Sequence, residues 1–201
     1  MINSIIFDCG GVILSNAWTE GGDLQYNIIP EKLGISEEIA VKIFHKNWPD
    51  ISIGKKSGDV FFNDLLTIAK NKIPLQELIE IYYRCIQKKD AFELVEKLYQ
   101  KYPLYTLNDE SKEWMDMRIR KFNLTKYFRD FITSGYVGYA KPNRRIYEIL
   151  LERTRLKPTE CLFIDNKEHL LSPAREIGYE TILFLNKQQL DMGLRAYDIK
   201  I

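Results

Sequence analysis

The chain alternates between short apolar runs and longer segments whose apolar residues recur at three- and four-residue spacing. The short runs lack helical periodicity and end at polar residues or glycine, which is typical of buried strands. Strands that alternate with helices pair in parallel through right-handed crossovers, so the sequence predicts an α/β fold with a doubly wound parallel sheet, a Rossmann-like three-layer sandwich. The predicted strands are residues 4–7, 104–107, 131–133, 161–164 and 181–184.

An all-helical block interrupts this alternation directly after the first predicted strand. Residues 15–86 contain no convincing strand pattern and have turn signals between segments of helical periodicity. The predicted helices of the block are residues 30–33, 37–47, 58–70 and 75–86. Trp18, Tyr26 and Trp48 are interpreted as packing residues there, with the alternative that one of them lines a ligand pocket. A weakly patterned tail follows residue 184.

Composition narrows the possible partners and location. The 201 residues carry 29 Lys and Arg against 28 Asp and Glu, and the net charge of +1 argues against broad binding to nucleic acid or to a membrane surface. No apolar stretch is long enough to cross a bilayer, and no signal-peptide pattern is recognised. Three cysteines without CxxC spacing suit a reducing compartment, so we expect a cytoplasmic protein.

Three predicted strands end in polar residues that carry chemistry. Asp8, Asn108 and Asp165 each follow a buried apolar run, and the carboxyl ends of parallel strands meet at one crevice. Lys141 lies in a loop that precedes a predicted helix on the same side. An aspartate can act as a nucleophile, a second carboxylate helps to hold Mg²⁺, and lysine and amide donors offset charge on transferring oxygens. The set therefore indicates phosphoryl transfer.

Four segments of the chain resemble the motifs of the haloacid dehalogenase-like (HAD) hydrolases, in the same order and spacing. The segments are FDCGGVIL at 7–14, Leu107-Asn108-Asp109, Lys141-Pro142 with Ile146-Tyr147, and FIDN at 163–166. The helical block resembles the helical cap that many members of this superfamily carry. The resemblance implies a catalytic core of residues 1–14 and 87–201 and a cap of residues 15–86.

The resemblance also implies roles for single residues. Asp8 would be the nucleophile that forms an aspartyl-phosphate, and Lys141 would pair with Asp8 and the phosphate. Asp8, Asp165 and the backbone carbonyl of Gly10 would be the Mg²⁺ ligands. Asn108 would hold a phosphate oxygen.

Two further residues of these motifs are interpreted from their positions. Gly11 is a candidate for substrate binding, because paired glycines let the backbone approach a ligand. Asp109 is interpreted as the cap of the following helix or a partner of its dipole, and Asn108 is a second candidate for that cap.

Three positions depart from the family pattern. Gly10 stands where most family phosphatases have a second aspartate, which acts as general acid and base. Asn108 replaces the usual serine or threonine, and an amide can donate to an anionic oxygen as a hydroxyl does. Asn166 replaces a frequent aspartate, which makes the predicted metal site less negative.

The leading hypothesis is a Mg²⁺-dependent phosphatase of small phosphorylated metabolites. One alternative is a 2-haloacid dehalogenase, a class that also lacks the acid at the position of Gly10 but typically lacks an aspartate at the position of Asp165. The other is a catalytically silent member of the fold that binds or regulates. The sequence carries no signal for the identity of the substrate or for the oligomeric state.

Overall fold

A five-stranded parallel sheet forms the centre of the protein. The computed structural model describes residues 1–15 and 28–201, so Trp18 and Tyr26 lie outside the described residues. The order β3-β2-β1-β4-β5 with every pairing parallel confirms the predicted doubly wound sheet. The strands are β1 Ser4–Phe7, β2 Leu104–Asn108, β3 Asp130–Thr133, β4 Cys161–Asp165 and β5 Glu180–Leu183.

The central strand β1 is apolar on both faces because helices cover both faces of the sheet. Ile6 lies between Tyr105 of β2 and Phe163 of β4 and packs with them in one hydrophobic cluster. Ile5 and Phe7 point to the opposite face and join a second, larger cluster. Side chains alternate along a strand, so neighbouring positions enter different layers of the core.

Four helices follow β1 within the described residues, and together these residues, 28–85, are called the helical insert. They are α1 Ile28–Leu33, α2 Glu37–Ile51, α3 Asp59–Ile68 and α4 Leu75–Cys85. The Ser36 side chain caps α2 by accepting a hydrogen bond from the Ile39 N–H at 3.3 Å. Helix α2 continues past its predicted end at Asn47 and through Pro49, because Trp48 stacks on Phe44 and Ile51 is buried in the core.

The remaining helices cover the two faces of the sheet. The weakly patterned tail contains one of them, α10. Its buried residues are Leu190 and Leu194, which lie one helical turn apart. The Asn186 side chain caps its start by accepting a hydrogen bond from the Gln189 N–H. No helix within the described residues is long and apolar enough to cross a membrane. The helices are α5 Phe92–Leu98, α6 Lys112–Phe122, α7 Ser134–Val137, α8 Arg144–Thr154, α9 Glu168–Ile177 and α10 Lys187–Ala196.

The two segments that connect the sheet with the helical insert lie side by side. The Ser15 N–H donates to the Gln87 carbonyl at 2.8 Å, and the Gln87 N–H donates to the Ser15 hydroxyl at 2.9 Å. Leu14 forms an antiparallel bridge with Lys88. The chain therefore leaves and re-enters the sheet domain at one hydrogen-bonded point.

Candidate active site

The carboxyl ends of β1, β2 and β4 open into one cavity of about 140 Å³. Asp8, Asn108 and Asp165 line it, together with Lys141 from the loop before α8 and Gly10 from the loop after β1. Gly11 does not line the cavity. Its backbone has a φ of 81°, which favours glycine, and its N–H donates to the Leu14 carbonyl at 2.8 Å.

Lys141 joins two carboxylates inside this cavity. Its Nζ lies 2.9 Å from Asp8 Oδ1 and 2.6 Å from Asp165 Oδ2, and its side chain is 1% exposed. Burial acts to lower the pKa of Lys141, but the charges of Asp8 and Asp165 outweigh it and hold the pKa well above its ordinary value. Burial raises the pKa of Asp8 to about 7, although Lys141 opposes this rise. The lysine is therefore a fixed positive charge beside Asp8.

The oxygens around Asp8 suit a hard cation. Among the described residues, no donor reaches Asp8 Oδ2, and Asp165 Oδ1 accepts a hydrogen bond from the Lys167 N–H at 2.9 Å. Among residues 1–15 and 28–201, no three or more His, Cys, Asp or Glu side chains are grouped so that they could hold a metal ion by themselves. Mg²⁺ needs only one or two carboxylates, because waters and substrate phosphate complete its shell. Asp8, Asp165 and Gly10, the three residues that the resemblance assigns to Mg²⁺, all line this one cavity.

Asn108 connects the loop after β1 to β2. Its Oδ1 accepts a hydrogen bond from the Cys9 N–H at 2.9 Å, and its Nδ2 donates to the Thr106 hydroxyl at 2.9 Å. Because the Cys9 N–H can only donate, the end of the Asn108 amide that faces it must be the oxygen. The side chain that the resemblance assigns to a phosphate oxygen thus holds the backbone next to Asp8 through its carbonyl end, while its amino end is bonded within β2.

Asp109 holds the backbone of the lysine loop. Its Oδ1 accepts a hydrogen bond from the Lys141 N–H at 2.8 Å, and burial raises the pKa of its carboxyl. The interpretation of Asp109 or Asn108 as the helix cap is wrong: Ser111 is the cap of α6, accepting from the Trp114 N–H at 3.1 Å. Because Ser111 already caps the helix, the Asp109 side chain is free to bond the distant Lys141 backbone instead.

Arg118 and Glu110 form a buried ion pair at the cavity that the sequence patterns do not predict. Arg118 Nη2 of α6 lies 2.7 Å from Glu110 Oε2, and both side chains are at most 10% exposed. Glu110 Oε1 accepts from the Ser111 N–H at 3.2 Å, and Arg118 Nη1 donates to the Ser15 carbonyl at 3.4 Å. One feature of the sequence indicates this pair: Arg118 lies one turn after Trp114, so a charged residue falls on the apolar face of α6 and needs a partner there.

Aromatic side chains of the helical insert form the wall opposite the strand ends. Phe44, Trp48 and Tyr82 line the cavity from α2 and α4. The Trp48 ring stacks on Phe44 with centroids 5.0 Å apart and faces Trp114 of α6 at 6.3 Å. Trp48, interpreted as a packing residue, thus also borders the cavity.

The chain belongs to the haloacid dehalogenase-like hydrolases. The model of that hydrolase family matches residues 2–178, which include every residue of the cavity described above. This confirms the family to which the four motifs pointed.

Individual relatives are similar over nearly the whole chain. A D-ribitol-5-phosphate phosphatase of Bacteroides thetaiotaomicron is 24% identical, over 90% of this chain and 91% of its own. The structure of a HAD-like family hydrolase from Porphyromonas gingivalis has a TM-score of 0.75 at 21% identity and covers 100% of both chains. A HAD family enzyme of B. thetaiotaomicron, solved with magnesium and inorganic phosphate, has a TM-score of 0.69 at 18% identity and covers 90% of this chain and 93% of its own. At these identities the structural likeness shows the fold.

Proposed function

We propose that the protein is a cytoplasmic Mg²⁺-dependent phosphatase of small phosphorylated metabolites that works through an aspartyl-phosphate intermediate. The observation that carries the proposal is the contact of one buried lysine with Asp8 and Asp165 in a single cavity at the strand ends. The Lys141 cation opposes the rise in the pKa of Asp8 that burial causes, and it can offset charge on a bound phosphate. The phosphatase named among the relatives supports the same reaction class.

In the first step an Asp8 oxygen attacks phosphorus, and the bond from phosphorus to the leaving oxygen breaks. Lys141 pairs with the phosphoryl oxygens, and Asn108 keeps the Cys9 backbone in place beside the nucleophile. Mg²⁺ held by Asp8, Asp165 and the Gly10 carbonyl would neutralise negative charge on the transferring group. In the second step water attacks the same phosphorus and restores the Asp8 carboxylate.

Cys9 is adjacent to the nucleophile in the cavity but is a poor competitor for the role. Burial raises the pKa of the Cys9 thiol far above its ordinary value, and the charge of Asp8 raises it further. The thiolate is the reactive form of cysteine, so a thiol held protonated is inert. The assignment of Asp8 as nucleophile therefore has no rival on the same loop.

In this proposal the helical insert is part of a cap domain that covers the site. The cap comprises residues 15–86, and the catalytic core comprises residues 1–14 and 87–201. The support is that its aromatic rings line the cavity opposite Asp8. Such a lid excludes bulk water and selects the leaving group. The cavity is smaller than the roughly 300–1,000 Å³ of sites for drug-sized ligands, which favours a short leaving group. Sugar and polyol phosphates are the first substrates to screen.

Hydrolysis of p-nitrophenyl phosphate with and without Mg²⁺, with wild type beside Asp8→Asn, tests the proposal. We expect metal-dependent turnover in the wild type and its loss in Asp8→Asn, because an amide cannot form the covalent intermediate. Asp191→Asn makes the same chemical change on the surface of α10 and is the matched control. A wild-type rate in a folded Asp8→Asn variant would refute the nucleophile assignment.

Two other results of the same screen would replace the proposal. Halide release from 2-chloropropionate without metal would identify a dehalogenase. Tight binding of a phosphorylated metabolite with no turnover by the wild type would identify a binding protein. The direct contact of Lys141 with both Asp8 and Asp165 favours the phosphatase over these readings, since two carboxylates in one cavity suit a Mg²⁺ site.

A further inference from the structure

The absence of a side chain at Gly10 leaves the leaving group without the proton donor that most family phosphatases have at that position. An alkoxide is a poor leaving group, so a phosphatase of alkyl esters needs an acid within reach of the leaving oxygen. The described acids that line the cavity are Asp8, Asp109, Glu110 and Asp165. Asp8 is the nucleophile, which leaves three residues to compare.

Two of the three have both carboxylate oxygens in strong bonds. Asp165 is fully buried, with one oxygen 2.6 Å from Lys141 Nζ and the other accepting from the Lys167 N–H. Glu110 gives one oxygen to Arg118 at 2.7 Å and the other to the Ser111 N–H. Neither side chain has an oxygen left without a donor, so neither is placed to carry a proton to the leaving oxygen, although burial raises the pKa of Glu110 as well.

Asp109 differs from both. One of its oxygens accepts from the Lys141 N–H at 2.8 Å, and among the described residues no donor reaches the other. The residue is half-buried at the cavity wall, two positions along the chain from the end of the apolar part of β2. Its hydrogen-bond partner is a backbone amide, which fixes the carboxyl group in place, and burial raises the pKa of this carboxyl by more than the nearby Lys141 charge lowers it.

We propose that Asp109 is the general acid and base of the reaction and performs the task that Gly10 cannot. The inference rests on the phosphatase function proposed above. The direction of the Asp109 pKa agrees with it, because burial favours the protonated carboxyl.

The proton balance closes over the two steps. As the bond between Asp8 and phosphorus forms and the bond to the leaving oxygen breaks, the Asp109 carboxyl gives its proton to that oxygen and an alcohol departs. As water then attacks the phosphoryl group and the bond to Asp8 breaks, the Asp109 carboxylate takes a proton from the water. Phosphate departs and Asp109 ends protonated, ready for the next ester.

The test compares two esters in Asp109→Asn, which keeps an acceptor for the Lys141 N–H but cannot donate an acidic proton. p-Nitrophenolate leaves without protonation, whereas the alkoxide of glycerol phosphate does not. We expect Asp109→Asn to retain a rapid burst of p-nitrophenol, equal in amount to the enzyme, followed by slowed steady turnover. With glycerol phosphate, alcohol release should fall by about 10²–10⁴-fold and show no burst.

Other variants separate this role from support of the lysine loop. Asp109→Ala removes the bond to the Lys141 N–H as well, so it should also slow the burst of p-nitrophenol. Asp191→Asn on α10 should leave both substrates unaffected. A missing burst of p-nitrophenol in Asp109→Asn, or wild-type rates on both esters, would overturn the proposal. A wild type that hydrolyses neither ester would overturn the phosphatase function and this inference together, a result distinct from a failure in Asp109→Asn alone.

Discussion

The two walls of the cavity are built by different physical means. On the strand side, charged groups are fixed by partners from other elements, as when Lys141 contacts Asp8 of the β1 loop and Asp165 of β4. On the insert side, Phe44 and Trp48 are held by ring stacking and burial, without charges. Electrostatic contacts depend strongly on the identity of each group, whereas apolar packing tolerates changes of shape. We therefore expect reaction chemistry to depend on the strand wall and choice of substrate on the insert wall.

Lys141→Ala removes the charge that holds the strand wall together and should have the largest effect. Two carboxylates would remain buried without their cation, which costs about 3–5 kcal/mol of unfolding free energy. Turnover should fall by at least roughly 10²–10³-fold, because the phosphate loses its fixed positive partner. Urea unfolding and steady-state kinetics measure the two effects. Lys187→Ala, at an exposed pair on α10, is the control, and equal stability of the two variants would contradict the comparison.

Gly58→Ala tests the contact that brings the two walls together. A Cβ at Gly58 would lie 2.4 Å from Trp114 Nε1 and 2.9 Å from the Ser111 hydroxyl, so the insert would have to shift away from α6. We expect a loss of about 1–3 kcal/mol of stability and a higher KM. Gly193→Ala on α10 is the control, since the Cβ there meets the flexible end of Ile182 at 3.1 Å. An unchanged KM in Gly58→Ala would show that the site does not depend on this contact.

Trp48→Leu changes only the shape of the insert wall and should have the smallest effect on the reaction itself. The ring is half-buried and borders the cavity, so its removal makes room for a longer leaving group. We expect kcat/KM to shift by roughly tenfold in favour of longer alkyl phosphates over glycerol phosphate. Trp48→Phe keeps a ring and should shift the ratio less. A uniform loss of kcat on all esters would instead place Trp48 among the groups that act on the chemistry.

The sheet and the strand-end residues could be predicted because their signals are local. The strands β1, β2 and β4 are short, largely apolar runs that end at a polar residue, and parallel pairing then places Asp8, Asn108 and Asp165 at one edge. The sequence does not predict helix α10, because its buried face consists of just two residues, Leu190 and Leu194, which are too few to produce a clear periodicity. Local patterns thus determined the sheet but not every helix on it.

The partners of the site residues could not be predicted, since they depend on contacts between distant positions. Nothing near Asp109 in the sequence indicates that its carboxylate meets the Lys141 backbone, 32 positions away. The same holds for Asn108 and the Cys9 N–H, which are 99 positions apart. A residue type and its place at a strand end indicate which chemistry is available, while the division of roles among neighbouring acids emerges only from the folded arrangement.

The paired segments at Ser15 and Gln87 have a consequence for how this architecture can be modified. Because the chain departs and returns at adjacent, hydrogen-bonded positions, the separation of these two points is the same whatever lies between them. The entropy of closing the intervening loop rises only slowly with its length. Segments of different size could therefore be exchanged at this junction during evolution or in engineered chimaeras, while the alignment of β1 with β2 is preserved.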